Sequence, residues 1–497
     1  MDDPLHRLRE FFSFNHNSGE QVEHQQLLSL LESLAPLPPF QVIGILHAQY
    51  LPVATCQRNL HTRFKLLENS RAEAIRCLPE LEHSVSDAVL PLPAEASAQA
   101  LTADNFLKSL AGAYTGIVSD ITANHQEAAL SHLLQQSIRR ALRALLRRQI
   151  LAYRAYALPS TSSWQQMHNL YRIARNQNLA GQGERSIERI YLTALLLAYA
   201  DPNKIPRQHL DDVKTIIEGL APLAGIIDAS QFERGQASHA GRFLVKLDDG
   251  NPGRPLAKMT EVTPMPGNLI IECRAVISAI DRKLIQAAHL EDDTASALEN
   301  LLTSLRNALG SQVQRRFSRI RFKPKVDLVA GFDDALRFIA KGTLARRQDD
   351  PGADPPPLTS EWSLINESPD GFGIRYRKGE KWSIQAGDLV VLRPREESRI
   401  HVCLVRRIAN LDQNKLELGL QELASEARII RIADTPAILL PHLPAFEGHA
   451  GLIVKADFEW PVGLEIGMAL VGRDTRWCPG HHAECNGRVQ FLVLEPL

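Results

Sequence analysis

Apolar positions recur at helical spacing through much of the first half of the chain. Trp164, Met167, His168, Tyr171 and Ala174 share one helix face, and Ser162 with Gln165 has the spacing of a capping box at its start. Ile187, Ile190, Tyr191, Ala194, Leu195 and Ala198 make another helix, expected to end before Asp201-Pro202, because the residue preceding a proline avoids helical angles. A third is expected from about Leu130 to Tyr156. It carries Arg139, Arg140, Arg143, Arg147, Arg148 and Arg154 among leucines, which reads as a solvated basic face on a packed helix. Residues 82–104, rich in Ala, Pro, Ser and acids, read as a connection. No fixed-period repeat is evident.

The pattern changes near residue 240. Gly241–Leu247 alternates, Asp248–Gly253 marks a turn, and Asn268–Cys273 is a short apolar run, together predicting a small strand pair. Helices follow from about Ala275 to Ala288 and through Leu298, Leu301, Leu302, Leu305 and Leu309, with Gly310 placed as a C-cap. Beyond Gly310 the chain reads mainly as strand: Val326–Ala330, Trp362–Ile365, Gly373–Tyr376, Leu389–Leu392, Ile400–Ile408 and Lys415–Leu420. Asp412-Gln413-Asn414 is a hairpin turn, and Pro351–Pro357 is a loop. Short strands at near-regular spacing suggest a small antiparallel barrel. Arg428–Ile432, Leu452–Ala456, Met468–Val471 and Val489–Leu494 continue the strand pattern as a second β domain or an extension of the first.

Composition adds exclusions. Of 497 residues, 44% are hydrophobic and 23% charged, which is ordinary for a globular chain. The net charge of −1 argues against coating nucleic acid or an anionic membrane with the whole surface. The apolar stretch Tyr191–Ala200 is about half the ~20 residues a spanning helix needs. The acidic start Met1-Asp-Asp-Pro is unlike a signal peptide. Six scattered cysteines are unlike a disulfide framework, so a cytoplasmic setting is expected.

Two segments carry candidate chemistry. In Gln314–Arg321, four arginines lie within seven residues, and from Arg315 to Arg347 ten Lys/Arg face three acids. The guanidinium fork suits phosphate oxygens and the O6/N7 edge of guanine. In Trp362–Ile374, Asn366 and Ser368 alternate out of a strand onto one face, offering an amide and a hydroxyl. Gly371 and Gly373 allow a tight turn and close approach of a ligand. Arginines on an arm beside small polar groups on a barrel face suit a purine nucleotide with phosphates.

These segments together resemble the PilZ family of cyclic di-GMP receptors, which carries an R-x-x-x-R arm and a [D/N]-x-S-x-x-G strand end on a six-stranded antiparallel barrel. The arm matches at Arg315 and Arg319, and the strand end at Asn366, Ser368 and Gly371. Asn366 stands where Asp is commoner, and a long insertion separates the two motifs. The resemblance covers about residues 311–425. It implies binding rather than catalysis: Arg315 and Arg319, with Arg316 beside them, clamp phosphates and guanine edges, Asn366 and Ser368 bond from the barrel, and Gly371 and Gly373 leave room. The arm continues from the Leu298–Leu309 helix, so its closure is expected to move that helix.

The expected organisation is multidomain α+β: a helical N-terminal region (1–238), a small β-hairpin with helices leading to the barrel (239–310), a PilZ-like β-barrel (311–425) and a C-terminal β-rich domain or barrel extension (426–497). The expected function is a cytoplasmic cyclic di-GMP receptor, not an enzyme, that couples binding to rearrangement of its helices. A protein partner is expected at the helical region. The alternative is an interaction scaffold with a degenerate barrel. Cys478, His481, His482 and Cys485 include zinc-type ligands, yet read better as a polar hairpin loop than as a metal site. His168 reads as a satisfied core histidine, and the lone Gly181-Gln-Gly183 has no preceding strand. No nucleotide-hydrolase, protease or cyclic di-GMP-turnover motif is present.

Overall fold

The computed structural model describes residues 20–181, 186–231, 239–258, 267–287, 293–310, 324–341, 359–395, 399–410, 415–432, 434–446, 448–460, 466–470, 473–485 and 488–497. Two compact units emerge. The first takes the chain to Val85, then Glu95–Leu151 and Leu170–Ile190; the second takes Ser86–Ala94, Ala152–Asn169 and Tyr191–Leu497.

The first unit is helical. Its long elements are Leu60–Asp87, Ala94–Ala123 and Ser131–Arg154, and their apolar faces bury Leu66, Leu78, Phe106, Tyr114, Ile117, Ile138 and Leu142. The basic face on Ser131–Arg154 differs from the expected solvated one. Arg140 forms a bidentate pair with Glu68, Arg147 with Glu82 and Arg148 with Asp104, each half-buried. Burial alone would raise the Glu68 carboxyl. Hydrogen bonds from Arg71, Tyr114 and Arg140 instead hold it below the usual carboxylate range. These arginines register neighbouring helices.

In the second unit, β1 (Gly225–Asp228), β2 (Arg242–Val245), β3 (Arg254–Pro255) and β4 (Leu269–Glu272) form a sheet in the order β1-β4-β2-β3, two strands more than expected. Tyr199 stacks on Phe243, with ring centroids 3.8 Å apart, and donates to Pro252 O. His168 is fully buried. Its Nδ1 meets Tyr191 Oη and its Nε2 meets Asn251 O, both at 2.7 Å, and burial lowers its pKa. It is the satisfied core histidine expected. The helices Arg274–Ala287 and Asp293–Gly310 pack on each other.

Six strands close the barrel: β5 (Lys325–Ala330), β6 (Ser360–Ser368), β7 (Gly371–Gly379), β8 (Leu389–Pro394), β9 (His401–Asn410) and β10 (Leu416–Ala424), in the order β10-β7-β6-β5-β8-β9, every pair antiparallel. Its interior holds Val326, Leu328, Trp362, Leu364, Phe372, Ile374, Val390, Leu392, Val405, Ile408, Leu416 and Leu418. Two further residues complete that core from far away in sequence, Leu90 and Tyr156, each 1% exposed, with Leu92 packed against them. The backbone enforces this plug. Leu90 N–H donates to Trp382 O at 2.7 Å, and Asn410 N–H donates to Tyr156 O at 2.9 Å.

Strands β8 and β9 are apolar on both faces. Val390, Leu392, Cys403 and Val405 point into the barrel, whereas Leu389, Val391, Val402 and Leu404 point outward. The outer set packs on the helix Phe332–Lys341 and on Ile438, Leu440, Ile453, Val489 and Phe491 of a C-terminal sheet. That sheet runs β11 (Arg428–Ile432), β12 (Thr435–Leu440), β13 (Gly451–Lys455), β16 (Val489–Pro496), β15 (Arg473–Cys485) and β14 (Ile466–Leu470), in that spatial order. A clasp joins it to the barrel: Arg488 Nη1 donates to Asp388 Oδ2 at 2.7 Å and to Ser383 O at 2.6 Å. Asp388 also accepts from Gln385 N–H. Burial raises the Asp388 carboxyl to about 6, and the Arg488 charge offsets that only in part.

Several expectations are corrected. Residues 82–104 are not a connection; two helices occupy all but Ala88–Pro93, since the Ala/Glu-rich run from Ala94 favours helix and only Pro91 and Pro93 interrupt it. The helix through Trp164 begins at Thr161, and Ser160 Oγ, rather than Ser162, accepts Ser163 N–H. The Cys478–Cys485 segment belongs to strand β15 rather than to a loop, because its backbone pairs with β16. Among the described residues no group of three or more His, Cys, Asp or Glu is arranged to hold a metal, and no helix is long and apolar enough to cross a membrane. The Pro351–Pro357 loop and the Asp412–Asn414 turn lie outside the described residues.

Truncating the plug tests the barrel core. Leu90→Ala should destabilise the second unit by roughly 2–5 kcal/mol, read by denaturant unfolding followed by tryptophan fluorescence. The clasp gives a pH signature. The folded protein takes up a proton on Asp388 near pH 6, whereas an unfolded aspartate does so near 3.8, so this carboxyl's contribution to stability falls as pH rises through 6. Asp388→Asn should therefore be more stable than wild type by about 2–3 kcal/mol at pH 7.5. The gain should shrink through pH 6 and vanish near pH 4 in the same unfolding measurement.

Candidate functional site

The β6–β7 hairpin builds one face of the candidate site. Its register pairs Asn366 with Gly373 and Ser368 with Gly371, with a bulge between Leu364 and Asn366. Trp362, Leu364, Phe372 and Ile374 take the inward positions. With Leu364 inward, strict alternation would turn Asn366 inward as well; the bulge at Ile365 resets the phase, so Asn366 and Ser368 share the outward face with Gly371 and Gly373. The structure brings all four together.

Each glycine has a steric reason. Gly371 has φ of +143°, and a Cβ there would lie 2.0 Å from Leu420 O, so the close crossing of β7 and β10 admits no side chain. At Gly373 a Cβ would meet Asn366 Oδ1 at 2.6 Å. The Asn366 amide thus lies across Gly373, in the space a side chain would occupy. Ser368 Oγ donates to Gly371 O at 3.2 Å, and the turn is pinned where Glu422 N–H donates to Asp370 O at 3.1 Å. Phe372 packs edge-to-face on His401, whose Nδ1 is 2.7 Å from Glu422 Oε1.

The register extends the face beyond the expected residues. Gly373 pairs with Gly419 on β10, and Gly419 with Arg407 on β9, giving the row Asn366–Gly373–Gly419–Arg407. Arg407 is exposed, and Arg406 beside it donates from Nε to Gln421 Oε1 at 2.7 Å. Arg375 and Glu417 pair on the same face. Gly419, Arg406 and Arg407 were missed in the sequence. The alternation of Leu416, Leu418 and Leu420 puts Gly419 on the outer face, but which strand lies opposite is set by tertiary pairing. Arg315, Arg316 and Arg319 lie outside the described residues. The chain re-enters at Pro324, whose carbonyl accepts Leu364 N–H at 3.0 Å, two residues from Asn366.

A closed six-stranded antiparallel barrel with an Asn-x-Ser-x-x-Gly hairpin on its outer face is the fold of a PilZ domain. Comparison with protein families agrees: the family described as cyclic-di-GMP receptor FimW, middle PilZ domain, matches residues 339–428, and its N-terminal domain matches residues 25–230. The two matches together span more than half of the chain, which belongs to this family of PilZ-domain cyclic di-GMP receptors. No curated protein and no solved structure gives a significant match. The N-terminal match extends the relationship into the helical region, where the sequence motifs were silent.

The Gly371 geometry predicts that Gly371→Ala lowers the stability of the barrel by at least about 1–3 kcal/mol, the scale of a strained backbone position, in denaturant unfolding. Gly373→Ala should cost less, because its nearest neighbour is the movable Asn366 amide rather than backbone.

Proposed function

We propose that this chain binds cyclic di-GMP on the outer face of its barrel, through Asn366, Ser368, Gly371 and Gly373, with Arg315, Arg316 and Arg319 folding over the ligand, and that occupancy is passed to the helical region. The carrying observation is the pair of small polar side chains, Asn366 and Ser368, held outward over a floor of Gly371 and Gly373, two residues along the strand from Leu364, which bonds to Pro324. Arg319 precedes Pro324 by five residues, a span of at most about 17 Å, which is compatible with contact to this face. In this reading residues 311–425 receive the signal, 239–310 lead into them, 426–497 extend the barrel, and 1–238 deliver the output to a protein partner in the cytoplasm. No catalytic step is part of it.

The energetics suffice. A hydrogen bond to a charged group contributes about 1.5–3 kcal/mol, and fixing the arm costs about 1–2 kcal/mol per ordered residue. Several such bonds, with base stacking and burial, are compatible with micromolar affinity, about −8 kcal/mol. Asn366 offers an amide oxygen to guanine N–H groups where an aspartate would offer a carboxylate, so this contact is the weaker neutral kind.

Titration calorimetry of the intact chain tests the assignment, with GTP and cyclic di-AMP as controls. Arg315→Ala and Arg319→Ala should each weaken cyclic di-GMP binding at least tenfold. Asn366→Ala and Ser368→Ala should weaken it about two- to tenfold. Wild-type affinity in both arginine variants would reject the arm. Absence of binding by the intact chain would favour a scaffold with a degenerate barrel.

A further inference from the structure

The plug is bonded to the rest of the second unit by a small buried polar junction. Tyr156 enters the barrel core with its ring, while its hydroxyl donates to Ile205 O at 3.2 Å and also meets the backbone of Ala386. The Arg207 guanidinium lies over that ring, 4.9 Å from its centroid. The same group donates from Nη1 to Ala88 O at 2.8 Å and Ser86 O at 3.2 Å. Arg207 is only 4% exposed. One arginine therefore ties together the two stretches that leave the helices: the end of Leu60–Asp87 and the residues after Ser131–Arg154.

The junction is polar where the rest of the barrel is apolar. The turn Pro202–Lys204 packs on β9, and neither end of the Asn203 amide, 1% exposed, reaches a hydrogen-bond partner among the described residues. Gln385 Oε1 and Asn410 Oδ1 are in the same position. Buried polar atoms without partners make an arrangement weaker than an apolar one of the same size. These polar atoms are the least favourable part of an otherwise apolar core, so a change in their arrangement is felt directly at the plug.

Strand β9 connects this junction to the candidate site. At Arg407 it borders the row that runs from Asn366 through Gly373 and Gly419. Three residues further, about 10 Å along the strand, Asn410 N–H holds Tyr156 O. A ligand that orders the outer face acts on the bulged part of β9, and the far end of that strand grips the plug.

We propose that the Tyr156–Arg207 junction is the latch through which ligand occupancy on the outer barrel face reaches the helices, with β9 as the connecting element and Arg207 as the positioning residue. This rests on the receptor reading above and specifies its output step. Arg207 touches no ligand; it sets the stability of the latched arrangement.

The test uses the intact chain, with hydrogen exchange followed by mass spectrometry with and without saturating cyclic di-GMP, and calorimetry on the same samples. In wild type, ligand should change exchange rates at least fivefold in Ser86–Leu92 and Ala152–Ala157, with a response continuing into the helices Leu60–Asp87 and Ser131–Arg154. Arg207→Met should bind within threefold of wild-type affinity yet lose most of the remote response, and Arg207→Lys should restore part of it. Should Arg207→Met fail to fold, Tyr156→Phe keeps the ring in the core, removes only the hydroxyl bonds, and should cut the remote response at least twofold. Binding with an undiminished remote response in the folded variants would overturn the latch. So would a wild-type response confined to the outer barrel face. Failure of wild type to bind would remove the receptor reading, and the latch with it.

Discussion

The structure depends on a barrel that cannot fill its own interior. Six strands supply most of the apolar core, but Leu90 and Tyr156 must arrive from segments more than 150 residues earlier in the chain. Burying a large side chain contributes about 1.5–3 kcal/mol, so the two together are worth a sizeable part of the stability of an ordinary domain. The barrel and the segments that lead to the helices therefore fold as one body. A change in how those segments sit is a change in barrel stability, which gives the two a thermodynamic reason to communicate.

The site has a different physical logic. Its floor is defined by what is missing: Gly371 and Gly373 lack side chains because a neighbouring carbonyl or amide already fills the space. Asn366 and Ser368 are placed by the register and by the bulge before them, and Ser368 also donates to Gly371 O. The crowded glycine backbone fixes the floor, and the amide and hydroxyl lie on the same outer face. The PilZ match covers the β6–β7 hairpin, and Pro324, where the described residues resume, accepts Leu364 N–H beside it.

Local pattern was a good guide wherever local forces decide. The helix through Ile187 and Tyr191 ends where Asp201-Pro202 demands, and all six barrel strands fall on the expected apolar runs. That Asn366 and Ser368 share a face was legible from their spacing of two, but which face they take is set by the bulge at Ile365, a property of the pairing with β7. The failures share a cause. Nothing near Leu90 or Tyr156 tells that these side chains close a distant core, and nothing near Arg140 or Arg147 names Glu68 or Glu82 as partners. The helix Phe332–Lys341 was hidden between a strand and a basic stretch, and its apolar face acquires meaning only against β8 and the C-terminal sheet. Gly419 and Arg407 join the site through pairing register, a property of the folded sheet.

The two-sided burial of β8 and β9 limits how this protein can be dissected. The PilZ match ends at residue 428, a natural place to cut. Such a fragment would lose the sheet that covers Leu389, Val391, Val402 and Leu404, baring a continuous apolar wall on an otherwise intact cylinder. Surfaces of that kind self-associate. Dimers or aggregates of a chain cut there would then report the amputation, and an isolated barrel would lose the Leu90 and Tyr156 plug as well.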